Sequence, residues 1–248
     1  MSKLIFLGCL SRSRYEATCE NAIKLIKSLD EEFQVIDDTP CCGALAYHIT
    51  KDEDLREHVC FVNEWFKVHE VSKIVTICAG CYNYLTRYYK EFIPDFNIQI
   101  QHIMQFIAQP ENLKKLNLKF DGKKLVVVYH DPCHLKNAIN PILEEPRTIL
   151  SNIENIELKE LENKGELSVC CGAGGGVFSL FKENSDYNSV LIFNQAKKQR
   201  AKALITACPF CYTALKRVQG IEENKIRIPV IKFEDFISKL IDGVDPLV

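Results

Sequence analysis

The chain has 248 residues, 47% hydrophobic and 26% charged, a balance that excludes a disordered polymer and supplies ample apolar material for a buried core. A net charge of −2 with no basic stripe gives a nucleic-acid partner no electrostatic footing, and none is expected. The longest apolar runs fall well short of the roughly 20 residues of a membrane-spanning helix, and the opening run Met1 to Leu7 meets a cysteine too soon for a signal peptide. A soluble or at most peripheral protein is expected.

In chain order, Leu4 to Leu7 reads as a buried strand ending beside Cys9. An amphipathic helix follows over Glu16 to Leu29, with Ala17, Ile23, Leu25, Ile26 and Leu29 as its apolar positions. A strand over Phe33 to Ile36 leads to Cys41-Cys42-Gly43, and a charged helix spans Asp52 to Glu70. The strand Lys73 to Ile77 ends at Cys78-Ala79-Gly80-Cys81, which opens a helix through Tyr82 and Tyr84. A strand at Ile98 to Ile100 and a helix over Ile103 to Ala108 close the half. The polar stretch Pro110 to Lys124, ending in Asp121-Gly122, reads as a linker.

The same order then starts again. Leu125 to Tyr129 is a strand before Cys133, and Pro141 to Ile149 a helix with proline in its first turn. A strand over Ile156 to Leu161 precedes Cys170-Cys171-Gly172, and a helix spans Ser185 to Lys202. Ala203 to Thr206 ends at Cys208-Pro209-Phe210-Cys211, followed by a helix from Tyr212, a strand at Ile228 to Ile231 and a helix over Phe233 to Ile241. This alternation predicts an α/β protein of two related Rossmann-like domains, 1–115 and 116–248, with mainly parallel sheets in a pseudo-twofold repeat. All ten cysteines named here fall at the carboxyl ends of strands, the edge where open α/β sheets bind ligands and where helix N-termini favour thiolates.

Twelve cysteines in a chain read as intracellular point to metal binding or redox chemistry, because a reducing compartment removes the usual reason for carrying so many. A disulfide framework is the alternative, disfavoured because a chain this long needs no staples. Ten cysteines form two series: Cys9, Cys41, Cys42, Cys78, Cys81, and Cys133, Cys170, Cys171, Cys208, Cys211. The gaps between single, paired and final cysteines are 31 and 35 residues in the first, 36 and 36 in the second. Thiolates select zinc, copper(I) or iron-sulfur clusters, and five exceed the four that a zinc site or an ordinary cubane cluster uses. Adjacent cysteines suggest a ligand shared between irons, and Gly43, Gly172, Gly174, Gly175 and Gly176 permit close backbone approach. Zinc in one of the two sites stays open.

The remaining candidates have plain structural readings. Cys19 and Cys60, outside both series, read as small buried hydrophobes. Tyr82, Tyr84, Tyr88 and Tyr89 read as a packed helix face in preference to a quinone site, and Trp65, Phe61 and Phe66 as core. His130 and His134 flank Cys133 and are placed to deliver a proton to a thiolate product. The plainer reading makes them polar neighbours of a helix start at Asp131 and Pro132, and His134 is carried as the catalytic candidate.

With these residues in view, the sequence resembles the cysteine-rich CCG domains of heterodisulfide reductases. The strings that carry the likeness are Tyr129-His130-Asp131-Pro132-Cys133-His134-Leu135, Cys170-Cys171-Gly172-Ala173-Gly174-Gly175-Gly176 and Thr206-Ala207-Cys208-Pro209-Phe210-Cys211, and it extends from Gly8-Cys9 to the helix after Cys211. The resemblance implies two noncubane 4Fe-4S clusters held by the ten cysteines. It also implies reduction or formation of a disulfide-type substrate through the clusters on Cys41, Cys42, Cys170 and Cys171. The domain pair is similar too to electron-transfer subunits of succinate dehydrogenase or fumarate reductase and of lactate or glycolate oxidation complexes, where the resemblance implies electron transfer to a quinone or carrier. No ferredoxin-type cysteine run is present, so the resemblance implies ferredoxin-like and flavoprotein partner subunits in a cytoplasmic complex, with attachment at the inner membrane face left open.

Overall fold

The computed structural model describes residues 1–50 and 53–247. Among the described residues, eight strands divide into two sheets. Strands β1 (Ser2–Phe6), β2 (Phe33–Gln34), β3 (Val71–Thr76) and β4 (Gln99–His102) line up as β2-β1-β3-β4. Strands β5 (Leu125–Tyr129), β6 (Ile156–Lys159), β7 (Ala203–Thr206) and β8 (Val230–Lys232) line up as β6-β5-β7-β8. Every pairing is parallel. Parallel neighbours need crossovers, which helices supply, and the inner strands β1, β3, β5 and β7 all end in a buried run. In β5, Val127, Val128 and Tyr129 have no exposed surface. The architecture is therefore two Rossmann-like α/β units repeated along one chain.

Helix periodicity accounts for the packing between the halves. The helix Glu16–Leu29 buries Thr18, Cys19, Ala22, Leu25, Ile26 and Leu29 at three- and four-residue intervals, whereas Ala17, expected on that face, is exposed. It lies against Phe233–Ile241 of the second half. There Thr18 Oγ1 and Asn21 Nδ2 each donate at 2.9 Å to the carboxylate of Asp235. The Lys232 ammonium sits 4.1 and 4.0 Å from the ring centroids of Tyr15 and Tyr212, a cation held between two π-faces. Leu25 and Phe106 share one apolar cluster with Val127, Leu204 and Phe236, so the two sheets are joined by a common core.

Several expectations need correction. The stretch read as a linker contains the helix Pro110–Leu116, whose Leu113 and Leu116 pack on the core. Pro141 lies before its helix, which runs Glu144–Ser151. The strand expected at Phe33 to Ile36 pairs only over Phe33–Gln34. The helix expected from Asp52 is described over Glu53–Val68, and Asp52 lies outside the described residues. On that helix Cys60 and Phe61 are exposed, Phe61 at 59%, because the buried stripe is Leu55, Val59, Val62, Trp65 and Phe66. Tyr82, Tyr84 and Tyr89 are buried in the core, Tyr88 half-buried beside them. Among the described residues no helix is long and apolar enough to cross a membrane.

Candidate metal centres

Each sheet delivers its cysteines to one edge. In the first half, Cys9 opens a short helix just after β1, Cys41 and Cys42 follow β2, and Cys78 caps the helix Ala79–Asn83 just after β3. In the second, Cys133 opens the helix after β5, Cys170 and Cys171 follow β6, and Cys208 caps Pro209–Gln219 after β7. The structure brings together every cysteine of each series.

The sulfurs touch in the same sequence in both halves. Cys9 Sγ lies 3.5 Å from Cys41 Sγ, Cys42 Sγ 3.4 Å from Cys81 Sγ, and Cys78 completes the string beside Cys81. Cys133 Sγ lies 3.5 Å from Cys170 Sγ, Cys171 Sγ 3.2 Å from Cys211 Sγ, and Cys208 stands beside Cys211. No disulfide forms, and all twelve cysteines are free. Cys9, Cys41 and Cys170 are exposed and Cys133 is half-buried, whereas Cys42, Cys78, Cys81, Cys171, Cys208 and Cys211 are buried. Each string has a dry end and an end open to solvent.

Crowding splits the thiols electrostatically. Hydrogen bonds from the Cys42 and Cys9 thiols, aided by the Gly43 N–H, draw Cys41 down to about 2. Cys133 and Cys171, aided by the Gly172 N–H, do the same to Cys170. Cys78 is drawn down by the Cys81 thiol and by the N–H groups of Cys81 and Gly80 at the helix start. Cys9 and Cys42 are pushed up by donating to Cys41, Cys133 and Cys171 by donating to Cys170, and Cys81 and Cys211 by donating first to Cys42 and Cys171, with burial adding to each. Five thiols packed this way cannot all ionise without a cation among them. The donor set therefore fits a sulfur-ligated metal centre, and a string of five fits several metal atoms better than one tetrahedral ion.

Neighbouring residues hold the strings in place. Gly43 and Gly172 follow the cysteine pairs at φ +86 and +72, where a side chain is strained, and their N–H groups point at Cys41 Sγ (3.5 Å) and Cys170 Sγ (3.4 Å). Tyr89 Oη donates to the Cys42 carbonyl at 3.0 Å, and Ser185 Oγ to the Cys171 carbonyl at 2.9 Å. A Cβ on Gly8 would meet Cys81 Sγ at 3.2 Å and Cys78 Cβ at 3.3 Å, at a φ of +78. Gly8→Ala is thus expected to weaken metal retention at the first centre about 10- to 100-fold and leave the second intact, read by metal analysis after dialysis against chelator.

His134 lies between the two strings. A Cβ on Gly80, inside the first CxxC, would stand 3.4 Å from His134 Nδ1, and a Cβ on Gly174 would stand 3.4 Å from its Cε1. Its ring stacks on His48 of the first half, with centroids 5.6 Å apart and planes within 3°. Burial, with His48 alongside, holds the His134 imidazole below its ordinary value. His130 is fully buried instead, with its ring, Cys171 Sγ and Cys211 Sγ all within 4.8 Å of one another. Burial pushes it down to about 4. Asp131, 1% exposed, does more than start a helix: its carboxylate takes two hydrogen bonds from Arg147, at 2.8 and 2.9 Å, and one from the Gly165 N–H at 2.8 Å. Sequence reasoning passed over His48, Arg147 and Glu160, which no local pattern marks.

Comparison with known proteins agrees with this arrangement. An iron-sulfur protein of Methanocaldococcus jannaschii, named as uncharacterized, is 33% identical over 95% of this chain and 46% of its own. A subunit of the fumarate reductase (CoM/CoB) of Methanothermobacter marburgensis is 31% identical over 89% of this chain and 43% of its own. A subunit of the dihydromethanophenazine:CoB–CoM heterodisulfide reductase of Methanosarcina acetivorans is 28% identical over 83% and 51%. The chain thus spans about half the length of the curated relatives it matches. Among solved structures, Picrophilus torridus aspartate racemase aligns over 97% of this chain and 91% of that one, at a TM-score of 0.39 and 14% identity, too distant to carry an argument. The cysteine-rich domain family matches twice, over residues 4–86 and 127–216, each match spanning a complete five-cysteine string, and the chain belongs to this CCG family.

Proposed function

We propose that this chain is an iron-sulfur subunit of a heterodisulfide-reductase-type complex and that it reduces, or in reverse forms, a disulfide-type substrate. The reading rests on one observation: the chain gathers two matched strings of five thiols, and His134, stacked on His48, meets Gly80 and Gly174 of the two cysteine loops. It includes two domains, 1–115 and 116–248, with Cys9, Cys41, Cys42, Cys78 and Cys81 holding one noncubane 4Fe-4S cluster and Cys133, Cys170, Cys171, Cys208 and Cys211 the other. When bound, a cluster pair supplies two electrons, which with two protons convert R–S–S–R′ into RSH and R′SH.

The protein's own groups account for the rest. Exposed Cys9, Cys41 and Cys170 leave one end of each string open to an incoming sulfur, and the buried cysteines keep the other end dry. His134, set against Gly80 of one string and next in sequence to Cys133 of the other, presents a hydrogen-bond donor to a departing thiolate. The names of the relatives support a redox complex, and ferredoxin-like and flavoprotein subunits are the partners this reading requires. A cytoplasmic location, or attachment to the inner membrane face through such a partner, goes with it.

The test uses the full chain purified without oxygen. A brown protein with about four iron atoms per site is expected. Stoichiometric zinc without iron would overturn the cluster assignment. Iron-loaded protein reduced with a viologen is expected to reoxidise on adding an organic disulfide; reoxidation by a quinone alone would make it an electron-transfer subunit instead.

A further inference from the structure

One buried position beside each cysteine string carries an apolar side chain in the first half and an imidazole in the second. In the first sheet Phe6 stands in register with Thr76, two residues before Cys78. In the second, Tyr129 stands in register with Ile205, so the next residue, His130, comes opposite Thr206, two residues before Cys208. The His130 N–H donates to the Ile205 carbonyl at 2.9 Å, and the Thr206 hydroxyl donates to the His130 carbonyl at 3.4 Å, which fixes the match. Phe6 and His130 also precede their lone cysteines, Cys9 and Cys133, by the same three residues. Phe6 packs in the apolar cluster that holds Cys42, Cys78 and Cys81. His130 lies with Cys171 and Cys211, the counterparts of Cys42 and Cys81.

Both side chains are fully buried, but only the imidazole has polar atoms to satisfy. Among the described residues, neither Nδ1 nor Nε2 of His130 finds a hydrogen-bond partner. A neutral imidazole carries one N–H donor, and leaving a buried donor unmet is costly. The Cys171 and Cys211 thiol sulfurs lie within 4.8 Å of the ring. The neighbouring Asp131 carboxylate is turned to Arg147 and Gly165.

Resting on the iron-sulfur reading above, we infer that His130 donates an N–H hydrogen bond to sulfur at the second centre, that Phe6 denies the first centre this bond, and that the second centre is therefore the electron-accepting end of the pair. One-electron reduction adds negative charge to a cluster and its thiolates, and an N–H aimed at sulfur stabilises that charge, raising the reduction potential. The phenyl ring of Phe6 offers an apolar wall and no donor. At this position the two copies of a duplicated site have become unequal toward an added electron.

Redox titration of the iron-loaded full chain, followed by electron paramagnetic resonance, tests this, with Cys42→Ser used to observe the second centre alone. His130→Phe is expected to lower the second centre's reduction equilibrium about tenfold, about 59 mV for a one-electron couple, and Phe6→His to raise the first centre's by a similar factor. His130→Gln, which keeps an N–H donor, is expected to retain most of the wild-type potential and serves if the phenylalanine variant does not fold. An imidazole-nitrogen hyperfine coupling on the reduced second centre, beyond the backbone N–H of Gly172 that stays in both proteins, should be present in wild type and absent in His130→Phe. Potentials unmoved by His130→Phe and by Phe6→His, or no imidazole-nitrogen coupling in wild type, would overturn the role given to His130 and leave the clusters standing. A wild-type chain without iron would overturn the cluster reading itself.

Discussion

Arg147→Met is expected to lower the melting temperature by about 10 °C and to empty the second metal centre before the first. Asp131 is 1% exposed, and Arg147 closes a two-pronged hydrogen bond on it at 2.8 and 2.9 Å. The same guanidinium donates from Nε and Nη2 to Glu160, at 3.0 Å each, on the segment leading to Cys170. Removing the cation leaves a buried carboxylate without a counter-charge, which costs about 3–5 kcal/mol. In a chain of this size each kcal/mol shifts the melting point about 2–4 °C. The network ties the end of β5 to the helix Glu144–Ser151 and, through Gly165 N–H and Ser168 Oγ, to the loop before Cys170. Thermal unfolding followed by circular dichroism measures the shift, and the double variant Asp131→Asn with Arg147→Met should recover part of it. A single variant melting within about 1 °C of wild type would show that the ion pair holds nothing in place.

Cys42→Ser and Cys171→Ser are each expected to remove about half of the bound iron and to reduce disulfide turnover by more than about 100-fold. These buried thiols sit mid-string, each in sulfur contact with the CxxC at 3.4 and 3.2 Å. Losing an outer-shell partner of a metal already costs about 10- to 100-fold, so losing a ligand at the centre of the string must cost more. The pairing of results is the informative part. If both centres serve one substrate, either variant alone abolishes turnover while half the iron stays bound. If one centre only stores electrons, its variant keeps measurable single-turnover reduction. Iron analysis beside a stopped-flow assay separates these outcomes.

The loss of symmetry between the centres bears on both experiments. Tyr89 supports the first cysteine pair where Ser185 supports the second, and Phe6 stands where His130 does. Equivalent substitutions in the two halves are therefore not expected to have equal effects.

The parallel α/β architecture and the cysteine grouping were legible from the chain alone, because both rest on short-range information. Apolar runs such as Leu125–Tyr129 declare buried parallel strands, and the doubled series of single, paired and CxxC cysteines declares a site built twice at the strand ends. Only the tertiary structure decided which groups from distant segments meet. Arg147 finds Asp131 sixteen residues away, His134 reaches Gly80 across the halves, and the buried His130 ring lies beside Cys171 and Cys211 with both its nitrogens unpartnered among the described residues. Exposure of Cys60 and Phe61, and a helix where a linker was expected, were decided there too. The physical reason is that local spacing determines which way a side chain points, whereas burial, charge pairing and unmet hydrogen bonds depend on what packs against it from elsewhere in the chain.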